Sequence, residues 1–250
     1  MQLSELVEVM DGWLGNREIP DYPGAHNGLQ VANGGSVTRV AAAVDASLPV
    51  IEAAVAAGAD LLIVHHGLFW QGVQPLVGAR YRKLKAAFDA GLAIYSSHIP
   101  LDVHAQLGNN VQLARALGMI DTEAFFDWKG ILLGQSAVVE GSCAELRGRL
   151  AGVVGGPVHF CPGGGAAAGR VGIITGGAGS EVEAIANCGI DTFITGEGPH
   201  WSFPLAQECG LNVLYGGHYA TETFGVKALA HELEAHFGLP WDFLDHPTGL

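Results

Sequence analysis

His65 and His66 stand side by side after the apolar run 61–64. Two segments of the form His-x-x-x-acid, His98 to Asp102 and His218 to Glu222, each follow a short apolar run through a tyrosine. Active groups in parallel α/β proteins gather beyond the carboxyl ends of the strands, which is where this reading puts all three pieces. Imidazoles and carboxylates without thiolates suit Zn, Fe, Mn or Ni and argue against a structural Cys-type zinc site. Neighbouring residues of a strand point to opposite faces, so His65 and His66 converge poorly on one ion. Where the strand gives way to Gly67 they can serve two adjacent divalent ions, with Asp102 or Glu222 as the bridge.

The bland alternatives are specific. A His and an acid four residues apart on a helix are ordinary surface neighbours, and an end-of-strand histidine pair often bonds only to backbone. Taken together at matched strand ends, the residues point to a metal site. His98 matches His218 in position and is a candidate further ligand or proton carrier, because imidazole titrates near neutral pH. Glu197, in a Thr-Gly-Glu strand end, could orient a ligand, act as a base, or cap a helix.

The elements that must position these residues follow from periodicity. Leu3, Leu6, Val7, Met10 and Trp13 recur at helical spacing over 3–14. A stretch rich in Gly, Pro and Asn follows. Strands are expected at 40–44, 61–64 and 92–95, and helices at 49–57 (with Gly58 closing the turn) and 81–90 (ending at Gly91). Alternating strands and helices predict an α/β fold with a largely parallel sheet.

Sliding the chain against itself by 131 positions aligns 39–70 with 170–201 without a gap, and nine of the 32 positions are identical. Arg39 meets Arg170, Asp60 meets Asp191, and Trp70 meets Trp201. A shift of 120 brings the His98 segment onto the His218 segment. The chain therefore reads as two related α/β domains from an internal duplication, in three layers. The expected first domain is 1–125, carrying His65, His66 and Asp102. The second is 126–250, carrying His218 and Glu222, with 121–130 as the joint and the Gly- and Ala-rich 155–169 as an exposed loop. Gly196 and Glu197 occupy the places of His65 and His66 in the second half, so one composite dimetal site between the domains is expected instead of two separate ones.

Composition narrows the function. Hydrophobic residues make up 49% and charged ones 15% of the 250 residues, as a large buried interior requires. The longest apolar run, 53–64, is broken by Gly58 and Asp60, so no membrane span is expected, and the N-terminus lacks the features of a secretory signal. A cytoplasmic protein is expected. The formal charge of −13 disfavours nucleic acid as a partner. Cys143, Cys161, Cys188 and Cys209 show no C-x-x-C spacing and read as reduced, mostly buried thiols. Arg80, Arg82, Lys83 and Lys85 hold four of the 12 basic residues. They form either a solvated helix face or an anchor for a substrate phosphate. Residues 175–180 (TGGAGS) precede a helix and could bind an anion there, without the lysine or spacing of a P-loop.

Five segments occur in a familiar order: Asn27-Gly28-Leu29-Gln30-Val31, the 64–70 stretch around His65 and His66, the 98–104 stretch from His98 to His104, Ile194-Thr195-Gly196-Glu197, and 217–222. With them the chain resembles the YbgI-type dinuclear metal-centre family, often labelled GTP cyclohydrolase I type 2 homologues. The resemblance spans nearly the whole chain. It implies two similar α/β domains and two divalent ions per subunit, with His65, His66, Asp102, His218 and Glu222 as ligands. It further implies a ring-shaped homohexamer. The stretch after Glu197 (Gly198, Pro199, His200) departs from relatives that carry further polar residues there.

Two function classes follow. One is a dinuclear metal-dependent hydrolase that turns a metal-activated water on a nucleotide or related phosphorylated small molecule, with His98 or Glu197 moving the proton. The other is a non-catalytic metal-handling or regulatory ring protein, which would hold exchangeable ions without saturable turnover.

Overall fold

The computed structural model describes residues 1–70, 72 and 74–250. The chain opens with α1 (Leu3–Leu14), β1 (Gly28–Val31), β2 (Val40–Asp45), α2 (Leu48–Ala56), β3 (Leu61–His66), α3 (Gly78–Ala90), β4 (Ala93–Ser96) and α4 (Ile99–Val103). It continues with α5 (Asn109–Ala116), β5 (Glu123–Trp128), β6 (Ile131–Ser142), α6 (Cys143–Val154), β7 (His159–Cys161) and β8 (Ala167–Ile173). Then come α7 (Val182–Asn187), β9 (Thr192–Thr195), α8 (Ser202–Glu208), β10 (Asn212–Tyr215), α9 (His218–Thr221), α10 (Thr223–Phe237) and β11 (Trp241–Phe243).

Local chemistry accounts for the principal elements. α1 buries Leu3, Leu6, Met10 and Leu14 along one stripe, as the spacing predicts. Ser47 caps α2 by accepting from the Val50 amide at 3.3 Å, and Pro49 sits in its first turn, where a missing N–H costs nothing. Ser142 and Glu145 close a reciprocal capping box at the start of α6.

Two compact units emerge, interleaved along the chain. The first comprises Met1–His104 and Gly225–His246, the second Ala105–Phe224 and Pro247–Leu250. The sheet of the first unit runs β1-β4-β3-β2-β11. Only β1 is antiparallel to its neighbour in that sheet. Residues 61–65 of β3 are buried on both faces, which is why they read as a continuous apolar run rather than an alternation. α2 and α3 cover one face through Val50, Ile51, Ala54 and Ala87.

The sheet of the second unit runs β5-β6-β8-β9-β10-β7. Its parallel centre, β8-β9-β10, carries an antiparallel edge strand β7 beside β10, as β1 lies beside β4. The duplication survives at the level of register. Val40 pairs with Leu61 and Val171 with Thr192, both offset by the same 131 positions. The Asp60 amide donates to the Arg39 carbonyl at 2.9 Å, and the Asp191 amide to that of Arg170 at 2.9 Å. Each aspartate also takes its arginine's amide on Oδ2, at 3.0 and 2.7 Å. The repeated Arg and Asp are thus a repeated closure of one strand start.

Four local expectations change. β3 continues two residues further, because Asp45 of β2 still pairs with His66. Residues 121–130 are no simple joint. They hold β5, flanked by left-handed Asp121 and by the turn at Lys129 and Gly130, and β5 pairs antiparallel with β6. The stretch 155–169 contains β7 and the start of β8 in place of an open loop. All four cysteines are free thiols, but only Cys143 and Cys161 are buried. Among the described residues no helix is long and apolar enough to cross a membrane.

Candidate functional site

In the first unit the end of β3 and the start of α4 bring histidines together. Nitrogens of His65, His66 and His98 lie within 4.8 Å of one another, a grouping that could hold a metal ion. Ring centroids of His65 stand 4.8 Å from His66 and 4.9 Å from His98. The Asp102 carboxylate approaches His65 Nε2 at 3.5 Å from the next turn of α4. His65 is fully buried and Asp102 is 7% exposed.

Each imidazole is held through Nδ1. That of His65 lies 3.0 Å from the Ser97 carbonyl, that of His66 2.8 Å from Asp45 Oδ1, and that of His98 2.8 Å from Asp21 Oδ1. A carbonyl or a carboxylate can only accept, so Nδ1 donates in all three and Nε2 carries the lone pair in the neutral ring. Burial pushes the Asp21 carboxyl up. Hydrogen bonds from His98, Asn27 and the Tyr22 backbone outweigh that and hold it below the usual carboxylate range. Asn27 ties the same corner twice, donating to Asp21 at 2.9 Å and accepting from the His98 amide at 2.8 Å. The Ser97 corner is anchored to α1's C-terminal end, where Asn16 Oδ1 accepts from the Ser97 hydroxyl at 2.9 Å.

In the second unit His218 and Glu222 lie on one short helical turn, α9 and the residue that ends it. His218 Nε2 is 3.2 Å from Glu222 Oε1, and its Nδ1 is 2.9 Å from Glu197 Oε1. Glu222 is 3% exposed. Burial would lower the His218 pKa, but Glu222 and Glu197 outweigh it and raise it to about 9. Glu197 thus stands at the His218 Nδ1, where it can orient the ring. Gly176 is required here: it has φ 70, and a side chain on it would collide with the Glu222 carboxylate.

The donor chemistry fits a divalent cation. In each unit, imidazoles with an acid at Nε2 (Asp102 at His65, Glu222 at His218) and an oxygen acceptor behind Nδ1 form the pattern by which metal-binding histidines are fixed in tautomer and direction. Sequence reasoning missed Asp21, Asp45 and the Ser97 carbonyl. Asn27 was visible only within a motif, and nothing in spacing links Asp45 to His66. His104 lies beyond α4 and bonds to the backbone of Trp13. At 175–180, the stretch that could bind an anion, most amides are taken up within the fold. The amides of Thr175, Gly176, Ala178 and Gly179 already donate to Asn110, Thr221, Thr195 and the Glu197 carbonyl.

The basic cluster on α3 divides. Arg80 and Lys83 line a cavity of about 740 Å³, whereas Lys85 pairs with Asp89 at 2.6 Å on the surface.

The chain is similar to several known proteins over nearly its whole length. A protein of Deinococcus radiodurans named GTP cyclohydrolase 1 type 2 homolog is 43% identical over 243 residues, covering 95% of this chain and 92% of that one. The solved structure titled protein ybgI, unknown function, superposes with a TM-score of 0.93 at 34% identity, over 100% of both chains. The structure of TTHA1606 from Thermus thermophilus does so with a TM-score of 0.87 at 41% identity, again over 100% of both. The model of the family described as Duf34/NIF3 (NGG1p interacting factor 3) matches residues 1–248, and the chain belongs to that family.

Proposed function

We propose that the protein is a dinuclear metal-dependent hydrolase. His65, His66, Asp102, His218 and Glu222 hold two divalent ions per subunit, and the substrate is a nucleotide or a related phosphorylated small molecule. The observation that carries this reading is the common setting of four imidazoles, each donating through Nδ1 to an oxygen and presenting Nε2 toward other ligand groups. Imidazole with carboxylate suits Zn, Mn, Fe or Ni. Ions held there would supply Lewis acidity and a water acidified toward neutrality.

The chain's own groups supply the rest. Asp45 and Glu197 fix the directions of His66 and His218. The Asp21–His98 pair resembles a carboxylate-oriented general base, so His98 takes or delivers the proton at Nε2. The name carried by the relatives suggests hydrolytic opening of the purine ring of GTP with loss of formate, which makes GTP the first substrate to try.

The test is elemental analysis of freshly purified protein, followed by a panel of nucleotides and phosphoesters with that metal restored. Two equivalents of metal per chain and saturable, metal-dependent turnover are expected. Freely exchanging ions with no turnover across the panel would overturn the reading in favour of metal handling. We further propose a homohexamer. The apolar side chains of Ile120, Leu132 and Val138, exposed around the β5–β6 edge, support an interface between copies. Light scattering of the purified protein should give six times 26.0 kDa, and a monomeric mass would remove the ring.

A further inference from the structure

The cavity of the first unit is built from two loops and a helix. Gln30 staples the loops: its Nε2 donates to the His26 carbonyl at 2.6 Å, and its Oε1 accepts from the Leu68 amide at 2.6 Å. The approach is so close that a Cβ on Gly67 would strike the Gln30 amide. Trp70 is pinned by its indole N–H on the Gly67 carbonyl at 2.9 Å. Its ring then stands 5.7 Å from His66 and 4.9 Å from His98, so one wall of the cavity is also a wall of the histidine group. Leu29, Leu68, Phe69 and Leu84 make other walls apolar. Arg80 and Lys83 add two cations from successive turns of α3, on a chain whose net charge is −13. Burial and the neighbouring Arg80 depress the Lys83 pKa. Asp45 opposes this from a distance, while its Oδ1 serves His66.

We infer that this cavity is the anchoring site for a small planar anion, with Arg80 and Lys83 taking its phosphate groups and Trp70 lying against its ring system. Each part of the chemistry has its counterpart. Guanidinium and ammonium groups side by side match a phosphate chain. An indole face with leucine walls matches a heteroaromatic ring. The volume falls within the ~300–1,000 Å³ of small-molecule sites. The contact of Trp70 with His66 and His98 sets the ring of such a ligand beside the histidines. The assignment deepens the hydrolase reading and rests on it for what becomes of the ligand, but the binding step needs no metal.

The experiment therefore separates binding from turnover. Calorimetry on the full chain, as purified and after dialysis against chelator, would use GTP and guanosine as probes. GTP should bind the metal-free protein saturably, at least tenfold tighter than guanosine, with an affinity that falls as salt rises. The pair Arg80→Ala, Lys83→Ala should weaken GTP at least tenfold and leave guanosine unchanged. The charge-keeping pair Arg80→Lys, Lys83→Arg should retain most of the affinity, and Trp70→Ala should weaken both probes. Absence of saturable GTP binding, equal affinity for guanosine, or full GTP affinity in the double alanine variant would overturn the site. Tight GTP binding with no turnover after metal reloading would instead remove the GTP hydrolase reading and leave the site in place.

Discussion

β3 and β9 are the same strand twice, and their ends have parted. In the first unit β3 finishes in His65 and His66, and Asp45 at the end of β2 orients the second of them. In the second unit Gly196 and Glu197 stand at those places, and Gly176 stands where Asp45 would be. The orienting acid has moved from the end of the first strand to the end of the second, where Glu197 holds His218. A Cβ on Gly196 would lie 2.6 Å from the Gly176 carbonyl oxygen and 2.6 Å from the His218 Cα. The second unit therefore has no room for an imidazole where the first has one. Duplication kept the register and the Arg–Asp closure while the strand ends diverged. The first strand end presents two imidazoles, and the second leaves space for His218 at the start of α9.

Removing one ligand from each unit gives the largest expected effects. His65→Ala and Glu222→Ala should each abolish metal-dependent turnover and lower bound metal, with the circular dichroism unchanged. Metal content equal to wild type in both variants would take these residues out of the centre. Restoring the first unit's residue in the second, Gly196→His, should lose metal rather than gain it, because the side chain meets backbone. Even Gly196→Ala should cost about 1–3 kcal/mol of stability by overpacking. A denaturant midpoint at the wild-type value would show that the strand end can yield.

The orienting acids come next. Asp45→Asn and Glu197→Gln should each weaken metal binding or activity by about 10–100-fold, the usual effect of losing a ligand's outer hydrogen-bond partner. An effect in one unit only would show that the two devices are not equivalent.

Protonation gives a further contrast. With metal removed, the folded pKa of His218 is raised to about 9 from an unfolded value of 6.5. The stability this confers is complete below 6.5 and disappears as pH climbs through about 9. Melting temperature of the apo protein should fall across that window, and His218→Gln should flatten the fall. Metal must displace the same proton, so affinity at this half should rise with pH over the same interval.

The smallest effect tests the shared framework. Asp60 accepts from the Thr38 amide and hydroxyl and from the Arg39 amide, while Asp191 accepts from the Arg170 amide. Asp60→Ala should cost about 1–2 kcal/mol and Asp191→Ala less, read from chemical denaturation.

The repeat and the apolar runs made the parallel centre of each sheet legible, because strands buried on both faces leave continuous hydrophobic stretches. α1 was legible from its spacing of Leu3, Leu6 and Met10. The candidate site's residue types were legible because imidazoles paired with carboxylates are uncommon at strand ends. What escaped was set by tertiary approach. Asp21 and Asp45 are ordinary acids until folding places each at a histidine Nδ1. Edge strand β7 spans only His159–Cys161, too short for an alternation to register, and β5 follows a left-handed Asp121 that reads as a turn. The segment 225–246 gives no sign of its partner, since its strand is three residues long and pairs with β2, some 200 positions earlier.

That late strand imposes an order of events. Trp241–Phe243 lies parallel beside Val40–Ala42, and Arg39 forms an ion pair with Asp242. During synthesis the chain from 105 to 224 can close its own sheet while the outer strand of the earlier one has yet to be made. The sheet of the N-terminal unit stays one strand short, with the flank of β2 open, until residue 243 has been made. His65 and His66, with only β2 between them and that open flank, are made early and are among the last candidate site residues to gain a finished scaffold.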